Sequence, residues 1–141
     1  MRYLDTSIVL SLYLVDDYSS LVSKEISTDL FDLYISPWVM VEIKSALSLL
    51  IRKRLISKST AEKSLYQFHK DKNKGKFLIQ TITKEHFTKA EENLSFDNSL
   101  RAADSLHLAI AQIEYYQLVT SDKLLGKIAK ELNQPVKLLE L

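Results

Sequence analysis

Four acids stand where chemistry, rather than simple solvation, is the natural question: Asp5, Glu42, Asp104 and Asp122. Asp5 closes the short apolar run Tyr3-Leu4 and is followed by two hydroxyls, Thr6 and Ser7. Asp122 follows Leu118-Val119-Thr120-Ser121 in the same manner. Glu42 lies inside the apolar stretch Trp38 to Leu47, and Asp104 sits beside Ala102 and Ala103 in a stretch that runs to Ala111. Taken singly, each has a bland role. Asp5 and Asp122 are good helix N-caps, Glu42 suits a first helical turn, and Asp104 can pair with Arg101 three residues earlier. Taken together they read differently. In open parallel sheets, ligands bind beyond the carboxyl ends of the strands, and Asp5 and Asp122 both sit at such ends. If their two strands are neighbours, the carboxylates meet. Carboxylates gathered in one place raise one another's pKa, and a bound cation reverses that effect.

The elements that must position these acids are legible as alternating short apolar runs and longer helical patterns. Strands are expected at Arg2–Leu4, Leu33–Ile35, Phe77–Ile82, Leu118–Thr120 and Val136–Leu138. Helices are expected from about Ser7, over Ser19–Asp29, over 38–54, from Ser57 or Ser59 to about His69, and over Lys84–Leu94, Leu100–Tyr116 and Asp122–Leu132. Pro37 suits the first turn of the third of these. Such alternation predicts an α/β fold in three layers, with a mainly parallel central sheet of four to five strands flanked by helices. The length of 141 residues fits one domain, 1–141.

Composition narrows the function classes. The chain has no cysteine, which excludes disulfides and thiolate zinc sites. It has two glycines, Gly75 and Gly126, which excludes the glycine-rich phosphate loops. The apolar run Ile8–Val15 is far shorter than the ~20 residues a membrane span takes, and acids flank it, so a cytoplasmic location fits. Net charge is only +1, yet Arg52 to Lys76 holds nine Lys or Arg against two acids, a surplus of seven positive charges. That segment reads equally as a solvated face with a mobile loop at Asn73-Lys74-Gly75 and as a flank that contacts phosphates. The histidines His69, His86 and His107 are scattered, and His107 reads as a packed helix residue.

The ordered set Leu4-Asp5-Thr6-Ser7, Glu42 in an apolar helix after a strand and proline, Arg101-Ala-Ala-Asp104-Ser-Leu-His-Leu-Ala109, then Leu118-Val-Thr-Ser-Asp122 resembles the PIN-domain nucleases. Within them it resembles the VapC toxins of toxin–antitoxin pairs. The resemblance implies a sheet whose first and fourth strands are adjacent at its centre, with Asp5, Glu42, Asp104 and Asp122 in one acidic pocket. Hard oxygen donors without Cys or a His cluster favour Mg²⁺ or Mn²⁺. Asp5, Asp104 and Asp122 are then the ligands, directly or through water. Glu42 completes the shell or acts as a base, and Thr6, Ser7 and Thr120 orient carboxylates or waters. Such an ion activates water and offsets charge on a phosphate under in-line attack. The resemblance further implies cleavage of single-stranded or looped RNA with a 5′ phosphate on the product, an antitoxin that covers the pocket, and a homodimer. Arg101, Arg52 and Arg54 are the candidates for holding flanking phosphates.

Two other readings compete. One is a PIN-like module that binds RNA or a partner with little or no catalysis. The other, a phosphatase or receiver that also carries Asp at strand ends, lacks its pattern here. The phosphatase needs a second Asp two places after the first, where Ser7 stands, and the receiver needs a late Lys-Pro pair.

Overall fold

The computed structural model describes residues 1–27 and 31–141. Its elements, in chain order, are β1 (Arg2–Leu4), α1 (Thr6–Tyr13), α2 (Ser19–Ile26), β2 (Leu33–Ile35), α3 (Pro37–Arg52), α4 (Lys58–Asn73), β3 (Leu78–Ile79), α5 (Lys84–Asn93), α6 (Ala102–Ile113), β4 (Gln117–Thr120), α7 (Lys123–Glu131) and β5 (Val136–Leu138). The sheet order is β3-β2-β1-β4-β5 and every pairing is parallel. The first and fourth strands are therefore neighbours, with Leu4 opposite Val119. At this junction the winding direction of the sheet reverses, the place where open α/β sheets leave a crevice beyond their strand ends.

Strand alternation divides the core between the two faces. Leu4 and Val119 turn to one face and join Ile8, Val22, Ile35, Val39, Ile43 and Phe68, so α1 to α4 cover it. Tyr3 and Leu118 turn to the other face and join Leu108, Ile110, Leu125 and Ile128, so α5 to α7 cover that one. Helix α6 is buried without interruption from Ser105 to Ala111. It packs on the sheet with one side and on α5 with the other, where Ser105 Oγ donates to the Ala90 carbonyl and Asn93 Nδ2 to Gln112 Oε1. A helix apolar nearly all round is one with neighbours nearly all round.

Several boundaries differ from those expected. β3 is two residues rather than six, because it pairs only with β2 as an edge strand, Phe77 turns into the core, and the chain then turns into the N-terminus of α5. α6 begins two residues late because Arg101 adopts the extended backbone of an N-cap, and it ends at Ile113 because Tyr115 turns left-handed. α2 ends at Ile26, and positions 28 and 29 of the expected helix lie outside the described residues. α4 runs on to Asn73 where a mobile loop was the alternative. Gly75, at φ 82°, closes it by donating to the Lys72 carbonyl while Lys76 donates to that of Asp71. This is a Schellman motif, the left-handed C-terminal cap of a helix.

The same cap recurs without glycine. Arg54, Tyr115 and Asn133, all near φ 57°, close α3, α6 and α7 through the same pair of bonds, from Arg54 and Leu55, Tyr115 and Tyr116, and Asn133 and Gln134. A β-carbon in that conformation costs about 1–2 kcal/mol, part of which glycine gives back as lost chain entropy. Tyr115 is 90% exposed, so little packing is lost with its side chain. Tyr115→Gly is therefore expected to stabilise the protein by roughly 0.5–1 kcal/mol. The check is an upward shift of the urea midpoint with an unchanged slope.

Candidate active site

Asp5 leaves the end of β1 and caps α1, accepting from the Ile8 amide at 3.2 Å. Ser7 Oγ donates to the same oxygen at 2.6 Å and Thr120 Oγ1 to the other at 2.5 Å. Asp5 is almost fully buried, and burial pushes its carboxyl up against the opposing effects of His107 and these three donors. Asp122 leaves the end of β4 and caps α7, accepting from the Leu125 amide at 2.9 Å. The two junctions are stitched together: the Asp122 amide donates to Thr120 Oγ1 at 3.0 Å and the Ser121 amide to Ser7 Oγ at 3.1 Å. The capping roles and the proximity of the two acids both hold, because a cap at a strand end faces the crevice.

Asp104 lies in the first turn of α6 and meets the Arg101 guanidinium at 3.4 Å, as the sequence spacing suggested. Burial and then the Asp122 carboxylate hold its carboxyl above the ordinary value, against the opposing charge of Arg101. Glu42 is not in the first turn of α3, so the helix-dipole reading does not account for it. Instead Thr6 Oγ1 donates to its Oε1 at 2.7 Å and His107 Nε2 bonds to the same oxygen. Burial works to raise Glu42, but the bond and charge of His107, the Thr6 hydroxyl and the Arg101 charge outweigh it and hold the carboxyl low.

These residues line one cavity of about 160 Å³, bounded by Asp5, Thr6, Ser7, Glu42, Arg101, Asp104, His107 and Asp122. Three helix N-termini, those of α1, α6 and α7, open onto it, and their partial positive ends offset part of the repulsion among the acids. Among the described residues, no three His, Cys, Asp or Glu side chains close on one point as a ready-made metal cage. The donor set is nonetheless oxygen-rich. An ion that keeps most of its own water needs only one or two carboxylates and room beside them. A larger cavity of about 560 Å³, between Leu12, Ile26, Phe31 and Leu78, gathers no such group of acids.

Of the expected phosphate-binding side chains, Arg101 is at the cavity rim. Arg52 and Arg54 stand at the far end of α3, where Arg52 donates to Ser48 at 2.6 Å. On sequence alone His107 reads as a packing residue. It is buried, but it is also a wall of the cavity. With it come Tyr3 and Ser36, which the sequence did not single out: Tyr3 Oη lies 2.8 Å from both His107 Nδ1 and Ser36 Oγ. One signal was available, since His107 follows Asp104 by three positions and so shares its helix face.

The raised carboxyl of Asp104 has a consequence for stability. Its folded state holds the proton more tightly than the unfolded chain does, so stability falls as pH rises through that range, and the full penalty stands at neutral pH. In EDTA at pH 7, Asp104→Asn should raise Tm by about 2–4 °C. At pH 3, where the acid is protonated in both states, it should change Tm little. Differential scanning calorimetry at the two pH values makes the comparison.

A family model described as PIN domain matches residues 2–131. Among solved structures, FitAcB from Neisseria gonorrhoeae superposes with a TM-score of 0.71 at 18% identity, covering 96% of each chain. VapC20 from Mycobacterium tuberculosis, described as a sarcin–ricin-loop-cleaving toxin, gives 0.68 at 14% identity, covering 90% of this chain and 94% of its own. A toxin–antitoxin complex from Klebsiella pneumoniae gives 0.67 at 17% identity over the full length of both chains. No curated protein matches the sequence. The structural likenesses concern the fold; the family match runs from the first strand through α7 and takes in all four acids, and the chain belongs to the PIN domain family.

Proposed function

We propose that the protein is a metal-dependent endoribonuclease, the VapC-like toxin of a toxin–antitoxin pair. The observation that carries this reading is the convergence of Asp5, Glu42, Asp104 and Asp122 on one cavity at the reversal point of a PIN sheet. Asp5, Asp104 and Asp122 would hold Mg²⁺ or Mn²⁺, directly or through water. When bound, such an ion activates water and neutralises charge on the phosphate under attack. Ser7 and Thr120 fix both oxygens of Asp5, so the direction of that carboxylate is set before anything binds. Thr6 holds one oxygen of Glu42. The other accepts the proton as the water oxygen bonds to phosphorus and the bond to the 3′ oxygen breaks; that oxygen takes a proton from solvent, leaving a 5′ phosphate and a 3′ hydroxyl. Arg101 engages the phosphate at the rim, and Arg52 and Arg54 engage more distant ones.

The partner is an antitoxin whose basic side chain would compete for the acids. The toxin–antitoxin complexes among the similar structures support the antitoxin; a homodimer and a cytoplasmic location complete the reading. Among the described residues no helix is long and apolar enough to cross a membrane.

The test is cleavage of total cellular RNA and of labelled synthetic stem–loops. Activity should require Mg²⁺ or Mn²⁺, vanish in EDTA, and fall at least about 100-fold in Asp104→Asn. Mn²⁺ should raise the Tm of the wild type and not that of Asp104→Asn. Cleavage that survives both EDTA and the substitution would remove the site.

A further inference from the structure

His107 is 1% exposed and fully engaged. On one side its Nε2 meets Glu42 Oε1; on the other its Nδ1 meets Tyr3 Oη at 2.8 Å, which continues to Ser36 Oγ at 2.8 Å. The four residues come from four places in the chain: β1, the N-cap of α3, the second turn of α3, and α6. Tyr3 and Ser36 are entirely buried.

The direction of the chain follows from which atoms can donate. An ionised carboxylate only accepts, so the proton between His107 and Glu42 sits on Nε2. If the ring is neutral, Nδ1 accepts from the Tyr3 hydroxyl, whose oxygen accepts from Ser36. If the ring is charged, Nδ1 donates to Tyr3 and Tyr3 donates to Ser36. Nε2 carries hydrogen in both cases. Burial pushes the Tyr3 phenol well up, so it remains a hydroxyl and can play either part. Glu42, by contrast, is a long side chain with about a quarter of its surface open to the cavity. Without a second holder beside Thr6, its rotamers would spread.

We propose that His107 is a positioning residue, locked by Tyr3 and Ser36, whose Nε2–H holds one oxygen of Glu42 and so aims the other at the attacking water. This rests on the nuclease reading above. It adds a role for a residue that touches neither the substrate nor the reacting atoms.

Two isosteric substitutions separate the two ends of the ring. His107→Gln places an amide near the Nε2 position and keeps a donor toward Glu42. His107→Asn places it near Nδ1 and keeps only the Tyr3 side. With a stem–loop RNA cleaved by the wild type in Mn²⁺, His107→Asn should lower kcat about 10- to 100-fold with KM within about threefold. His107→Gln should stay within about fivefold of wild type. In a Glu42→Gln background, His107→Asn should cost less than about twofold more, since the residue it serves is gone.

A second readout needs no activity and no metal. In ¹⁵N-histidine NMR, His107 should show a protonated Nε2 whose signal moves in Glu42→Gln, while His69 and His86 stay in place. Equal losses for Gln and Asn, full activity in a folded His107→Asn protein, or effects that multiply with Glu42→Gln would overturn the proposal. So would an unprotonated Nε2 or a signal indifferent to residue 42. If His107→Asn does not fold, the wild-type and Glu42→Gln spectra still decide. If the wild type cleaves no RNA, the nuclease reading fails while the spectra judge the contact by itself.

Discussion

Like charges brought to one point repel, and the rest of this molecule is arranged around having four such charges share a cavity. Two unit charges about 4 Å apart interact by roughly 4 kcal/mol at the effective dielectric of a protein surface, so the fold must supply compensation locally. It does so in three ways. The N-termini of α1, α6 and α7 all open onto the cavity. Asp5, the most buried acid, receives a hydrogen bond on each oxygen and two on one of them. Arg101 and His107 stand beside Asp104 and Glu42. Asp5 and Asp104 both keep raised carboxyls despite this, with burial the first cause in each.

The same residues therefore shape the backbone and line the cavity. Asp5 and Asp122 terminate strands, start helices and line the cavity, and one atom, Thr120 Oγ1, donates to Asp5 while accepting from the Asp122 amide. A capping aspartate ordinarily contributes about 1 kcal/mol. Here the geometry that caps the helix also fixes the acid in the crevice between β1 and β4. That economy explains why the bland and the functional readings of these acids do not exclude one another. The cap is the means by which a strand end holds its carboxylate still.

Much of this could be read from the sequence because it depends on local pattern. Strand–hydroxyl–Asp junctions, helix-spaced apolar residues and the Ala-rich segment around Asp104 all declare themselves within ten residues. What stayed hidden depends on pairs far apart. Tyr3 and His107 meet across 104 positions, and nothing near Tyr3 in the chain distinguishes it from any other strand aromatic. Helix ends are hard to place for a related reason. Only Gly75 announces a left-handed cap by residue type, whereas Arg54, Tyr115 and Asn133 adopt the same conformation and make the same pair of closing bonds. β3 is shorter than its apolar run because it has a neighbour on one side only, which the run itself does not reveal.

Charge distribution carries the argument one step beyond the cavity. The near-neutral total conceals a division: 52–76 carries a surplus of seven positive charges and the remainder of the chain six negative. An acidic cavity by itself repels a polyanion, so a site of this kind needs attraction from elsewhere on the surface to hold one. Helix α3 joins the two regions mechanically, with Glu42 near its start and Arg52 at its end. Ten residues of helix rise about 15 Å, so Arg52 stands about that far along α3 from Glu42. Helix α3 thus sets the distance between the acids and the basic flank, and its apolar face, buried through Val39, Ile43 and Leu47, keeps that distance fixed.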